Sequence, residues 1–171
     1  FITTKDLGYN KEQVLVIPTQ EGWTAESDRV VEQFRTRAQQ ESQIVSVSGT
    51  SSSFNQGYSR YGFKIKGEQK SAYVYAADPN YIPTLGIQLL EGRNFDPTIA
   101  ADSDVVIVNE ALVKDMKWTD PLNEYYNWRE DSVGMGSRVI GVVKDYHFLS
   151  LEQNFEPMFL SMNKSSVGYL T

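Results

Sequence analysis

SDVVIVNEALVKDMKW, residues 103–118, changes its apolar period halfway along. Val105, Val106, Ile107 and Val108 form an unbroken β-branched run, which reads as a strand. Leu112, Val113 and Met116 then fall on one side at helical spacing. Asn109 stands at the junction, where its side-chain oxygen can accept an orphan N–H of the first helical turn. A strand therefore runs straight into a helix here, and the chain mixes the two element types.

Upstream lies YIPTLGIQLLEGRNFDP, residues 81–97. Asp78-Pro79 signals a helix start just before it, and Pro83 limits that helix to a turn or two. Gly86 supplies a left-handed stop. IQLL at 87–90 reads as a short strand and EGRNF at 91–95 as a turn. Before that, residues 61–78 alternate as a hairpin, with Phe63 and Ile65 on one arm and Tyr73 and Tyr75 on the other, turning at Gly67. GTSSSFNQGYS at 49–59 is rich in Ser, Gly and Asn and reads as a mobile loop.

The N-terminal part reads as strand, helix, strand. QVLVIP at 13–18 is stopped by Pro18. A helix over 27–40 is capped by Ser27 or Asp28, with Val30, Val31, Phe34 and Ala38 on one stripe. QIVSVSGT at 43–50 follows, so the segment is a βαβ-like unit. Downstream, 119–136 is turn-rich and aromatic, SRVIGVVKDYHF at 137–148 is a strong strand, and 157–163 and 167–171 are two more. About eight strands and three helices in irregular order make an α+β fold.

The chain has 171 residues, enough for one domain or one domain with a small inserted lobe. It has no cysteine, which excludes a disulfide scaffold, a Cys-ligated zinc and a thiol nucleophile. The net charge of −6, without a basic run, excludes nucleic acid and anionic lipid headgroups as expected partners. No apolar run approaches the ~20 residues of a membrane-spanning helix, and no signal sequence is visible. The start at Phe1 and the abrupt end at VGYLT suggest a piece cut from a larger protein.

Catalytic chemistry finds little support. His147, the single histidine, has Asp145 two residues away, yet no nucleophile motif accompanies them. A partly buried histidine at the end of a strand is the simpler reading. Gly134 and Gly136 precede a strand rather than a helix, so they form a hairpin turn and not a phosphate loop. Glu91, Asp96, Asp102 and Asp104 read as turn and cap residues. No cofactor or metal motif is present. Tyr125, Tyr126 and Trp128 sit in a polar, turn-rich stretch and are the candidate partner contacts, as amphipathic aromatics often serve at interfaces.

Three ordered segments, NYIPTLGIQLLEGRNF, VIVNEALVKDMKW with Asp120-Pro121, and VIGVVKDYHF, resemble the MacB-like periplasmic core domain of MacB/FtsX-type ABC-transporter permeases. The likeness covers almost the whole chain. It implies a mixed-sheet βαβ (porter-like) lobe over about 12–99 plus 151–171, and a smaller β-rich inserted (sabre-like) lobe over about 100–150. It also implies a non-catalytic domain on the periplasmic side of the inner membrane, in an integral membrane protein. Partners expected on that basis are a cytoplasmic ABC ATPase reached through membrane helices, a second permease copy, and a periplasmic or outer-membrane protein. The family's Asp-Pro-x-Gly turn reads Asp120-Pro121-Leu122-Asn123 here, without the glycine. An extracytoplasmic ligand-sensing domain of a membrane receptor is the second reading.

Overall fold

The computed structural model describes residues 6–19, 24–54, 56–65, 68–126, 136–162 and 167–171, with backbone alone at 27 and 65. In chain order the first elements are β1 (Ile17–Pro18), α1 (Ala25–Ala38), β2 (Gly49–Thr50), β3 (Ser59–Ile65) and β4 (Glu68–Ala77). Then come α2 (Tyr81–Thr84), β5 (Leu89–Gly92), β6 (Val105–Asn109) and α3 (Glu110–Met116). The last are β7 (Tyr125–Tyr126), β8 (Ser137–Val143), β9 (Met158–Met162) and β10 (Tyr169–Leu170). The expected α+β class holds.

All ten described strands share one sheet in the order β1-β10-β2-β4-β9-β6-β8-β5, with β3 on β4 and β7 on β8. The pairs β4·β9 and β6·β8 are parallel and the rest antiparallel, so the sheet is mixed. Strands β6 and β8 come from the 100–150 stretch expected as an inserted lobe. They lie within the same sheet, bonded to β9 and β5. Pairing therefore runs unbroken across the expected lobe boundaries.

The connection β6-α3-β8 is a true crossover between adjacent parallel strands. The N-terminal unit is different. Both β1 and β2 pair antiparallel with β10, which lies between them. Its two strands are therefore parallel but not neighbours: a βαβ unit split by the last strand. Both strands are also shorter than the apolar pattern suggests. Leu15 and Val45 are 70% and 100% exposed, because no neighbour covers the alternation there.

Side chains alternate across the sheet with period two. Tyr73, Tyr75, Val105, Ile107, Met158 and Leu160 pack on one face with Tyr81, Leu85, Tyr146 and Phe148. Ala72, Val106, Val108, Val139, Val142 and Phe159 pack on the other with Leu112, Phe63 and Tyr126. With both faces covered, the central strands carry apolar residues at nearly every position, which is why Val105–Val108 shows no polar alternation.

A smaller third cluster holds α1 through Val31, Val167 and Leu170. Of the expected stripe, Val31 and Ala38 are buried while Val30 and Phe34 are exposed. The helix begins two residues before the expected cap. The Ser- and Gly-rich loop read as mobile is tied down among its described residues: Thr50 Oγ1 donates to the Ser52 carbonyl and Ser52 Oγ to the Gly57 carbonyl.

Candidate functional site

His147 and Asp145 follow β8 and line a shallow cleft of about 810 Å³ with Lys70, Lys114, Asp115, Lys117 and Phe155. His147 is buried, its ring 4.4 Å from that of Phe155, and its backbone N–H donates to the Leu7 carbonyl. Asp145 accepts the Ala111 N–H at 2.9 Å and so caps the first turn of α3. Burial pushes the Asp145 carboxyl up, the Ala111 N–H pulls it down, and neighbouring Glu110 raises it again. This carboxylate is committed to the helix end. Asp145 serves as a cap, and among the described residues no Ser or Thr hydroxyl lines the cleft beside the pair.

The acidic group around the β5 turn resolves into one buried residue and several surface ones. Asp102 is fully buried, and Arg93 donates to both its oxygens, Nη1 to Oδ2 at 2.6 Å and Nη2 to Oδ1 at 2.7 Å. The Asp96 N–H adds a third hydrogen bond at 2.8 Å. The Arg93 hydrogen bonds hold the Asp102 carboxyl below its ordinary range against the opposing effect of burial. Asp96 caps its own turn by accepting the Thr98 N–H and hydroxyl. The residues read as turn and cap groups thus include one buried ion pair that sequence spacing does not reveal.

A second buried pair locks α1 to the sheet. Asp78 accepts Arg35 Nη2 at 2.6 Å and the Gly49 N–H at 2.7 Å through one oxygen, and the Asn80 N–H at 2.9 Å through the other. The helix start expected at Asp78 falls at Tyr81, with Asn80 as the N-cap residue and no cap hydrogen bond from its side chain. The Asp78 carboxylate is drawn inward by its partners on β2 and α1. Burial raises its pKa, while Arg35 and the Gly49 N–H lower it.

Of the candidate partner contacts, Tyr125 lies on β7 with its side chain exposed. Tyr126 does not fit that role. Its neighbour in an extended strand faces the other way, so Tyr126 is fully buried, 4.2 Å from the Phe159 ring and 5.2 Å from Phe63. Trp128 and the turn at Gly134 fall outside the described residues; Gly136 is described only as the residue preceding β8. An open groove of about 460 Å³ lies where residues 12–17, α1 and residues 43–47 meet, lined by Leu15, Phe34, Ile44 and Val45. A further long exposed element is β3, which among the described residues pairs with β4 alone.

Among the described residues no group of three His, Cys, Asp or Glu side chains could hold a metal ion. None of the described helices is long and apolar enough to cross a membrane.

A family model described as the MacB-like periplasmic core domain matches residues 4–165. No curated protein matches the sequence. Among solved structures, the periplasmic region of MacB from Actinobacillus actinomycetemcomitans superposes with a TM-score of 0.57 at 18% identity, covering 81% of this chain and 62% of that one. The extracellular domain of the noncanonic ABC-type transporter YknZ from Gram-positive bacteria gives a TM-score of 0.55 at 11% identity, covering 81% of this chain and 70% of that one. The chain spans less than two-thirds of the MacB region's length. At these identities the likeness establishes the fold.

Proposed function

Because the chain belongs to the MacB-like periplasmic core domain family, matched over residues 4–165, we propose that it works as the extracytoplasmic domain of an ABC-transporter permease. On this reading it catalyses nothing itself. It moves when a cytoplasmic ATPase hydrolyses ATP, and it passes that motion to exported substrate or to a periplasmic or outer-membrane partner. A second permease copy stands beside it. Tyr125, exposed on β7, is a contact for such a partner.

The observation that supports this reading is the continuous sheet itself. Strands β1 and β10, far apart in sequence, lie side by side, with Ile17 opposite Leu170. Motion delivered through either segment enters the same edge. Both faces of the central strands are packed, so the sheet moves as one piece rather than deforming. A ligand-sensing role gains nothing from the family match.

The test uses the parent membrane protein with its ATPase. The chain contains no cysteine, so once any cysteine elsewhere in the parent protein is replaced, Cys residues placed at the exposed positions Val45 and Tyr125 carry the labels. Distances between spin labels are measured with and without ATP. The reading expects the Val45–Tyr125 distance within one copy to stay fixed and the distance between copies to change. Unchanged inter-copy distances through the ATPase cycle would remove mechanotransmission as the function.

A further inference from the structure

Strand β3 is seven residues long, has no proline, and pairs with β4 in unbroken register from Ser59↔Val74 to Ile65↔Glu68. Among the described residues, no strand pairs with its other edge. Ser59, Arg60, Tyr61, Gly62 and Lys64 are exposed, and Phe63 alone of the described side chains is buried. A long unbulged edge of this kind is a template for another strand.

The charges on that edge decide what kind of strand fits. Alternation puts Arg60, Gly62 and Lys64 on one face and Tyr61 and Phe63 on the other. β3 carries no acidic residue. The Arg60 guanidinium sits 5.1 Å over the Tyr73 ring and 3.7 Å from Glu156, which holds it on that face. A second copy would use the full strand only by pairing antiparallel about Gly62. That register sets Arg60 against Lys64 of the other copy at both ends, and like charges directly opposite repel. The same two charges attract a strand with carboxylates at the matching positions.

We propose that the outer edge of β3 is a docking site for an extended acidic segment of a partner protein, added to the sheet as a further strand. The segment places acidic residues opposite Arg60 and Lys64. It places a small residue opposite Gly62 and apolar residues opposite Tyr61 and Phe63. The pattern is acidic, apolar, small, apolar, acidic. Backbone hydrogen bonds supply the attachment and the alternating side chains the selection. This goes beyond the transporter reading and rests on strand geometry. Failure of ATP-driven movement would leave it standing.

The test titrates the 171-residue chain against two labelled peptides in low salt, one with the core Glu-Val-Ser-Val-Glu and one with Lys-Val-Ser-Val-Lys. Fluorescence anisotropy reports binding, and amide hydrogen exchange reports where. Two ion pairs in place of two repulsions should make the acidic peptide bind about tenfold tighter or more. The acidic peptide should slow exchange at residues 59–65, and added salt should narrow the difference between the two peptides. The double variant Arg60→Glu with Lys64→Glu should reverse the preference. Both changes are on exposed positions, so the fold survives them. Equal binding of both peptides, protection elsewhere than β3, or no binding of either below about 1 mM would each overturn the proposal and leave the charges as guards against aggregation.

Discussion

Arg93 and Asp102 meet in a two-pronged ion pair across the turn after β5, at 2.6 and 2.7 Å. The aspartate side chain is almost wholly enclosed, while the arginine remains 44% exposed. The pair joins the end of one edge strand to the 3-10 turn that leads into β6. Removing the arginine leaves a buried carboxylate with only the Asp96 N–H to bind. Arg93→Ala should therefore cost about 2–3 kcal/mol, below the ~3–5 kcal/mol of a fully buried pair, because the arginine side is partly solvated. Urea denaturation measures this, and a loss under about 0.5 kcal/mol, the size of an ordinary surface change, would refute the assignment.

The same pair sets an acid dependence. Arg93 lowers the Asp102 pKa in the folded state relative to its ordinary 3.8. The native state therefore holds this proton less readily than the unfolded chain does. Its stabilising contribution is complete above 3.8 and is lost as pH falls through 3.8 toward the lower native value. Asp78, raised by burial, contributes in the opposite sense, losing stability as pH climbs from 3.8 through its native value. The difference between wild type and Asp102→Asn isolates the first effect. The urea midpoint should fall more steeply with acidification in wild type than in the variant, and parallel curves would contradict this account.

Two glycines with left-handed backbones should behave differently. Gly86 has φ +61°, and an added Cβ would meet only Asn10 Cβ at 3.6 Å. Gly86→Ala should cost about 1 kcal/mol, the backbone strain alone. Gly92 has φ +75°, and its Cβ would press against the Ile140 carbonyl of the paired strand. Gly92→Ala should cost at least twice as much, because the β5·β8 pairing must open. Equal melting-temperature losses in the two variants would show that the close strand approach is not what selects glycine at 92.

Asn109 does three things from one buried position. Its Oδ1 accepts the Leu112 N–H and the Met158 N–H, both at 3.0 Å, and its Nδ2 donates to the Glu156 carbonyl at 2.9 Å. It thus caps α3 and fastens the start of β9 beside β6. Asn109→Ala removes a cap and strands two buried backbone groups, for about 2–4 kcal/mol. Hydrogen exchange should quicken both in α3 and at Met158. Loss confined to α3 would mean the residue is a cap and nothing more.

Local patterns were legible where they act locally. The β6-to-α3 junction, its Asn109 cap, the β3–β4 hairpin and the Gly86 stop all follow from spacing within a few residues. A packing role for His147 was also legible, though the sequence suggests partial burial and the structure buries it. Strand lengths at 13–18 and 43–50 were not. Val45 and Leu15 carry the right residue type, but pairing requires a neighbour at the right distance. Tyr125 and Tyr126 look equivalent in sequence and face opposite sides of one short strand. Arg35 and Asp78, and Arg93 and Asp102, look like ordinary surface charges until the chain brings each pair together.

From its residues alone the chain determined an α+β class, the central apolar run, the capped α3 and the resemblance that the family match bears out. Those features depend on backbone propensity and on side-chain period, which neighbouring residues set. The tertiary structure alone decided that β10 enters between β1 and β2, that β6 and β8 lie inside one sheet, and that two acidic side chains disappear into ion pairs. These are pairings over long sequence separations. Their free energy is the gain from burial and charge pairing set against the entropy lost in closing long loops, and nothing short-range in the sequence encodes that balance.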